Sequence, residues 1–308
     1  MQRGPRIVLA AMAGAALGVA SPQMALACAC GCSIFDVGTQ TLLPSERGGT
    51  LFLEYDALTQ NQNWHGNSRA PATANDDKRI HSDFFLAGAQ YMFDENWGAM
   101  IELPYTRRSL RTTESGAAET FEHESIGDVR VMGMYSGFSP DMSLGAIFGV
   151  KLPTGDHNFA HFDTDVQIGS GSTDLLLGGY KTGALSSDGN WSYFAQVLWQ
   201  HEIATQDHYR PGSELNGAAG IAYADLKVGD VGIAPVFQFV FSHRGRDGAA
   251  AGDPDNTGYD RLLASPGVAL VMQQWKFYAD VELPLWQQVN GNQLVSPLAV
   301  KLILSRSL

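Results

Sequence analysis

Hydrophobic and polar residues alternate along most of the chain after residue 50, in runs separated by polar connections. One such run places Trp97, Ala99, Ile101, Leu103 and Tyr105 on a single face. A period of two is typical of a β-strand, whose successive side chains point to opposite faces. About twelve strands are predicted, a number within the range of membrane barrels. They cover residues 51–59, 81–93, 97–105, 126–138, 142–153, 173–182, 191–203, 215–225, 231–243, 262–272, 275–286 and 297–308.

The connections between these runs alternate between short and long. Residues 94–96 and 139–141 form tight turns, whereas 60–80, 107–124, 154–170 and 244–259 are long. Membrane barrels sort their connections into short periplasmic turns and long outer loops. We therefore predict an all-β fold, a transmembrane antiparallel up-and-down β-barrel over residues 50–308 with both termini periplasmic. A soluble sandwich or lipocalin-like barrel is the alternative, and its apolar face would point inward.

The first 27 residues have the features of a secretory signal peptide. Arg3 and Arg6 supply a basic start, residues 7–20 an apolar core, and Ala25-Leu26-Ala27 a small-x-small cleavage site. The apolar core is shorter than the roughly 20 residues that a spanning helix needs. We expect residues 1–27 to be removed, and an exported barrel of this kind to lie in the outer membrane of a Gram-negative cell.

Composition narrows the class of protein further. The chain has 44% hydrophobic residues, 34 glycines and 17% charged residues, which does not suggest disorder. The net charge of −12 becomes −14 once Arg3 and Arg6 are removed, and this acidity argues against a nucleic-acid partner. The expected surroundings are outer-membrane lipid outside the barrel and a small-molecule solute inside it.

Three short segments carry a family resemblance. They are Ile126-Gly127-Asp128-Val129, the run from Gly149 to Asp156 (GVKLPTGD) and the run from Ile168 to Asp174 (IGSGSTD). With them the chain resembles the outer-membrane barrels named for phenol-degradation meta-pathways (MetA-like), also described as transporter-like barrels. The resemblance implies uptake or efflux of small molecules, including aromatic or other hydrophobic compounds. The residue types by themselves favour turns, because Pro153-Thr154-Gly155 can end one strand and Gly169 with Gly171 can bend the chain into the next.

Strand parity assigns a set of charged residues to the lumen. Opposite charges along a narrow lumen either select solutes by charge or pair and close it. The candidates are Glu54, Asp56, Glu102, Asp128, Arg130, Lys151, Asp280, Glu282 and Lys301.

The three cysteines of the chain, Cys28, Cys30 and Cys32, form a C-x-C-x-C motif at the predicted mature N-terminus. Three thiolates at this spacing can hold a soft metal, copper or zinc. In an oxidising compartment, two of the cysteines can instead form a disulfide, which leaves one thiol to pair elsewhere. Lipidation of Cys28 is a third interpretation. Residues 28–49 thus form a cysteine-bearing periplasmic tail or a plug in the lumen.

His157 and His161 are weaker metal candidates, because a flexible loop does not fix their spacing as a helix would. A solvated acidic loop is the alternative there.

The sequence predicts an outer-membrane channel or transporter for small molecules and no enzyme, since no G-x-S-x-G, Walker A or H-E-x-x-H motif occurs. One alternative is a structural or metal-handling barrel that acts through its cysteine-bearing tail with a periplasmic protein. The other is an outer-membrane lipid hydrolase whose residues come from different strands.

Overall fold

The computed structural model describes residues 28–29, 42–44 and 46–308. For residues 28–29 the description is of the backbone alone. Apart from the short 3-10 turns Ala72–Ala74 and Thr164–Val166, the regular structure in these residues is β. Among them, no helix is long and apolar enough to cross a membrane.

The strands form one continuous sheet. Their bounds are β1 Cys28–Ala29, β2 Gly48–Gln60, β3 Gln62–Gly66, β4 Ser68–Arg69, β5 Asp77–Met92, β6 Trp97–Thr112, β7 Glu119–Ile126, β8 Arg130–Tyr135, β9 Leu144–Lys151, β10 Ser172–Ala184, β11 Trp191–Thr205, β12 Glu214–Tyr223, β13 Leu226–Val228, β14 Val231–Arg244, β15 Tyr259–Met272, β16 Trp275–Val295 and β17 Ala299–Ser307.

The sheet closes on itself because the last strand pairs with the first long one. β17 lies antiparallel to β2, with Ala299 opposite Leu58 and Ser307 opposite Thr50. If β7 and β8 are taken as one interrupted strand and the short strands β1, β3, β4 and β13 are left out, the wall has 12 antiparallel strands. The predicted closed barrel is confirmed.

The outer face of the wall is apolar and the inner face is polar, as a membrane barrel requires. Leu53 and Leu103 are 59% and 47% exposed on the outside, whereas the adjacent Glu54 and Glu102 are 5% and 7% exposed on the inside. An apolar outer band around a polar interior is the pattern of outer-membrane barrels, and it is opposite to that of a soluble barrel.

Two of the predicted long loops are largely strand. Residues 107–124 contain the end of β6 and the start of β7, so that only 113–118 connect them. Residues 60–80 contain β3, β4 and the start of β5. These predictions were wrong because strand ends that project beyond the lipid carry polar residues on both faces, and the apolar half of the alternation disappears.

A bulge in β16 breaks strand parity. The register with β15 shifts between Leu262, which faces Trp286, and Leu263, which faces Pro284. Leu285 and Trp286 both point outward as a result, 59% and 45% exposed. Strict alternation from Trp275, which lies outside, predicts an inward Trp286, and the extra residue of the bulge reverses that orientation.

Outward-facing aromatic residues gather at the end of the barrel that carries the short connections, here called the short-turn end. Trp97 packs on Tyr135 with ring centroids 4.7 Å apart, and Trp191 packs on Tyr223 at 5.0 Å. Aromatic girdles of this kind mark the membrane interface in β-barrels. The opposite end is called the long-loop end.

The described pieces of the N-terminal tail lie at different depths. Cys28–Ala29 pairs in parallel with Gln293–Leu294, near the far end of β16 and so at the long-loop end. Leu42 and Leu43 pack inside the barrel, and β2 begins at Gly48 at the short-turn end. Leu308 bonds to Gly49 there, so Cys28 and the C-terminus lie at opposite ends of the barrel. The side of the membrane that each terminus faces stays a prediction.

Candidate functional site

A buried charged cluster occupies the lumen where β17 meets β2. Lys301 Nζ lies 2.8 Å from Glu54 Oε1 and 3.7 Å from Asp56 Oδ1. All three side chains are almost fully buried. Because an unpaired charge in such surroundings is costly, the ammonium and the carboxylates hold one another in place.

Asp280 extends this cluster onto β16. Its Oδ2 accepts hydrogen bonds from the Ser265 hydroxyl at 2.6 Å, the Tyr278 hydroxyl at 2.7 Å and the Gln238 amide at 3.1 Å. Glu282 lies inside as well, 8% exposed. The lumen charges on this side of the wall therefore form a fixed network rather than a solvated ring.

A second cluster is built around Lys151 on β9. Its Nζ lies 2.6 Å from Asp174 Oδ2 and 3.6 Å from Asp128 Oδ2, and it donates to the Ser170 hydroxyl at 2.7 Å. On the neighbouring strands Arg130 lies 3.8 Å from Glu102 and donates to Gln200 at 3.5 Å. The nine parity candidates thus all lie inside the barrel, in two clusters.

A third cluster, at the long-loop end, was not found from the sequence. Arg244 lies 2.8 Å from Asp247 and 3.7 Å from Glu214, and Tyr209 donates to Asp247 at 2.7 Å. Burial raises the pKa of the Tyr209 phenol well above its usual range, so the hydroxyl remains a donor. Arg244 is the last residue of β14, and Glu214 is the first residue of β12. Both side chains lie on the lumen face, a position that strand parity can predict. Tyr209 and Asp247 are in loops, where no periodic signal exists.

Residues 152–171, here called the inward loop, fold into the lumen between β9 and β10. Phe162 and Val166 are buried, and Arg108 donates from the wall to the carbonyls of Val166 and Gln167, the latter at 3.1 Å. One edge of β7 pairs with β6. The other edge has no strand partner in the described sheet, because β9, which pairs with the following strand β8, ends at Lys151. The inward loop covers the wall at that place.

The three resemblance segments meet at the base of this loop. Asp128 accepts from the N–H of Gly155 at 3.0 Å and from the N–H of Ser170 at 2.9 Å. The Thr154 hydroxyl donates to the carbonyl of Gly127 at 2.9 Å. A Cβ on Gly169 would lie 2.4 Å from the carbonyl carbon of Gly155, so this crossing of two backbones requires glycine. The shared motifs therefore fasten the inward loop.

Histidines attach the inward loop to its surroundings. His123 Nε2 lies 2.9 Å from Asp156 Oδ2 and the ring stacks on Phe159 at 4.2 Å. His157 Nε2 lies 3.0 Å from Asp207 Oδ2, while His161 stacks on Phe121 at 4.3 Å. The two predicted metal candidates, His157 and His161, thus face different partners.

Metal binding by the cysteines remains a prediction. Cys30 and Cys32 lie outside the described residues, and Cys28 is described by its backbone pairing. Within the described part of the chain, no group of three or more His, Cys, Asp or Glu side chains is placed to hold a metal ion.

The lumen contains separate spaces at different depths. A cavity of about 100 Å³ lies among the charged residues below the inward loop, lined by Arg108, Asp128 and Arg130 among others. A cavity of about 320 Å³ lies at the short-turn end. Between these levels, a space of about 30 Å³ remains where Leu42 and Leu43 approach Met100. The tail leucines therefore lie at a constriction.

Methionines form the wall beside this constriction. Met92, Met132, Met134 and Met142 are buried in one apolar cluster, with Met100 and Leu43 packed against it. Met92 lies over Gly98, where a Cβ would come 2.3 Å from its sulfur. Flexible, unbranched side chains that lie along the wall over a glycine can adapt to different contacts.

A closed antiparallel sheet with an apolar outer band, an aromatic girdle and a charged interior defines an outer-membrane β-barrel. The chain is a protein of the outer membrane. No protein-family model and no curated protein matches the sequence. Among solved structures, it is similar to the COG4313 outer membrane channel from Pseudomonas putida F1, with a TM-score of 0.68 and 13% identity over 88% of this chain and 100% of that chain. It is also similar to the β domain of the Bordetella autotransporter BrkA, with a TM-score of 0.50 and 12% identity over 85% and 100% of the two chains. These likenesses concern the fold.

Proposed function

We propose that this barrel is a channel or transporter that passes small molecules across the outer membrane. The observation that carries the proposal is the series of spaces along the lumen, separated at the level of Leu42 and Leu43. A barrel with a purely structural role would have no need of cavities at both ends of a constriction. The solved structure from Pseudomonas putida is itself named a channel, which accords with a role in transport rather than catalysis.

Aromatic or other hydrophobic compounds are the solutes that we propose, following the resemblance to the phenol-degradation meta-pathway barrels. The apolar methionine wall and the neighbouring leucines support this choice, since a path for ions alone would gain nothing from an apolar constriction. The short-turn end faces the periplasm in this proposal, as in other barrels of the class.

We further propose that residues 28–47 act as a plug that limits passage. Leu42 and Leu43 pack against the buried apolar cluster that includes Phe194, and Leu43 also packs against the buried methionine cluster. Such contacts are weak one by one and can be released without breaking the wall, because β2 begins only at Gly48.

Conductance in planar bilayers tests the channel and the plug together. We expect low conductance for the mature chain and a severalfold increase for a variant lacking residues 28–47 and for Leu42→Ala/Leu43→Ala. The matched control is Leu226→Ala/Val228→Ala, which shortens two exposed residues of β13. Current at background for the mature chain and for both plug variants would refute the channel. An increase in the β13 control as well would refute the plug.

A further inference from the structure

The cavity at the short-turn end has the size of a ligand site. Its volume of about 320 Å³ lies between the tail residues 42–44 and the wall formed by β12, β14, β15 and β16. Sites for small organic ligands begin at roughly 300 Å³. The cavity therefore has room for a small aromatic molecule beside the plug.

Most of one wall of the cavity is made of small apolar side chains. Ala222, Val236 and Ala269 are all buried and come from three adjacent strands. The methionine wall across the lumen is filled by long side chains, so the open volume lies on the alanine side. Such a surface suits the apolar body of a ligand, because burial there removes hydrocarbon from water.

One charged side chain enters this cavity from the wall. Lys276 follows Trp275 at the start of β16, on the lumen face that Tyr278 shares. Unlike the lumen residues Lys151 and Lys301, its ammonium has neither a hydrogen bond nor an ion pair with any residue of 46–308. A cation held beside an apolar wall gains from an anionic partner.

The surroundings of Lys276 favour one negative charge rather than several. Ser305 lies directly opposite Lys276 on β17 and lines the same cavity, so its hydroxyl can donate to the same group. Glu46 and Arg47 are exposed on the tail side of the cavity, and the Glu46 carboxylate acts electrostatically on Lys276 from beyond ion-pair distance. One ammonium with a neighbouring hydroxyl matches a carboxylate, whereas a phosphate would call for more cations.

We propose that this cavity binds small apolar molecules that carry a single carboxylate, with Lys276 as the partner of the carboxylate. The proposal rests on the proposed function in that it names a substrate class for the same lumen. The apolar body lies against Ala222, Val236 and Ala269, and the charged group lies toward Lys276 and Ser305. Lys276 is thus a specificity residue that separates aromatic acids from neutral molecules of equal size.

Binding to the mature chain in lipid nanodiscs tests the proposal, with 4-fluorobenzoate and 4-fluorobenzamide as probes followed by fluorine NMR. The two probes share ring and size and differ in charge. We expect the acid to bind about tenfold more tightly than the amide, which corresponds to one charge-assisted hydrogen bond. Lys276→Gln should abolish that preference, Lys276→Arg should retain it, and Lys227→Gln on exposed β13 should leave it unchanged.

The outcomes separate this site from the channel. Retained binding of the amide to Lys276→Gln shows that the cavity is intact, so that a lost preference reports the ammonium alone. Equal affinities for acid and amide in the native chain, or an undiminished preference in Lys276→Gln, would overturn the proposal. Lys276-dependent binding without any conductance would instead sustain the site and overturn the channel.

Discussion

Asp128 accepts hydrogen bonds from both the backbone N–H and the hydroxyl of Ser170, at 2.9 and 2.6 Å. The two residues are far apart in sequence, one in the break between β7 and β8 and the other just before β10. This contact holds the base of the inward loop against the wall, next to Lys151. The base of the inward loop is therefore held by this one carboxylate.

Replacing this carboxylate should release the inward loop. In Asp128→Ala, the N–H groups of Gly155 and Ser170 lose their acceptor, at a cost of about 1–3 kcal/mol for each buried donor. We expect faster amide exchange and protease cleavage within residues 152–171 in nanodiscs. The control Asp188→Ala removes a carboxylate that caps an exposed short turn and should leave this loop protected. Unchanged protection in Asp128→Ala would contradict the assignment.

The crossing of Gly155 and Gly169 should not tolerate a side chain. An added Cβ at Gly169 meets backbone atoms at 2.4 Å, and backbone cannot move aside as a side-chain tip can. We expect Gly169→Ala to lower the free energy of unfolding by about 1–3 kcal/mol, as overpacking does in other cores. Urea unfolding in detergent micelles measures this, and Gly217→Ala, where the nearest atom lies at an ordinary 3.4 Å, serves as control. Equal midpoints for the two variants would show that the crossing is not tight.

Removal of the Lys301 ammonium should destabilise the barrel strongly. Lys301→Met leaves Glu54 and Asp56 buried without their cation, which costs about 3–5 kcal/mol when one partner of a buried pair is lost. Lys227→Met, on the exposed strand β13, should have almost no effect. The triple change Lys301→Met/Glu54→Gln/Asp56→Asn should restore much of the loss. If the triple variant is as unstable as the single one, the ion pairs do not account for the effect.

Acidity should tighten the inward loop through Asp163. Partial burial raises the pKa of this carboxyl, and the nearby Glu114 and Asp253 raise it further. A carboxyl group whose pKa is higher in the folded than in the unfolded state contributes most stability when it is protonated. This holds at a pH below its pKa in the unfolded state, which is about 4. The stability of the loop should fall as the pH rises from there through the raised pKa of Asp163.

Amide exchange of residues 159–167 between pH 4 and 7 measures that dependence. Asp163→Asn should keep the loop in its low-pH state and flatten the profile. A profile that keeps its slope in Asp163→Asn would assign the dependence to other groups.

The cysteine motif should bind a soft metal if its thiols are reduced. Metal mass spectrometry on mature protein purified without chelator should find copper or zinc, and a Cys28→Ser/Cys30→Ser/Cys32→Ser variant should lack it. His157→Asn/His161→Asn should keep the metal, because those side chains face Asp207 and Phe121. Equal metal in all three proteins would remove the cysteine site.

The wall was predictable from the sequence, and much of the interior was not. Alternation located Leu53 and Leu103 outside and Glu54 and Glu102 inside, because lipid on one face and lumen on the other enforce a period of two. It failed at Trp286, where a bulge shifts parity, and at 107–124, where water on both faces removes the pattern. The partners of Asp128 could not be derived, since contacts between Asp128 and Ser170 depend on a loop that leaves the sheet.

The pairing of β17 with β2 has a consequence for biogenesis. β17, which seals the wall, is synthesised after the other described strands, and it must pair with β2, the first of the long strands. Contacts of such long sequence separation form slowly, because the loop entropy is lost before pairing compensates for it. A chain cut short before Ala299 would expose the edges of both β2 and β16 and would be open to misassembly. Synthesis through β17 is thus a precondition for a sealed wall.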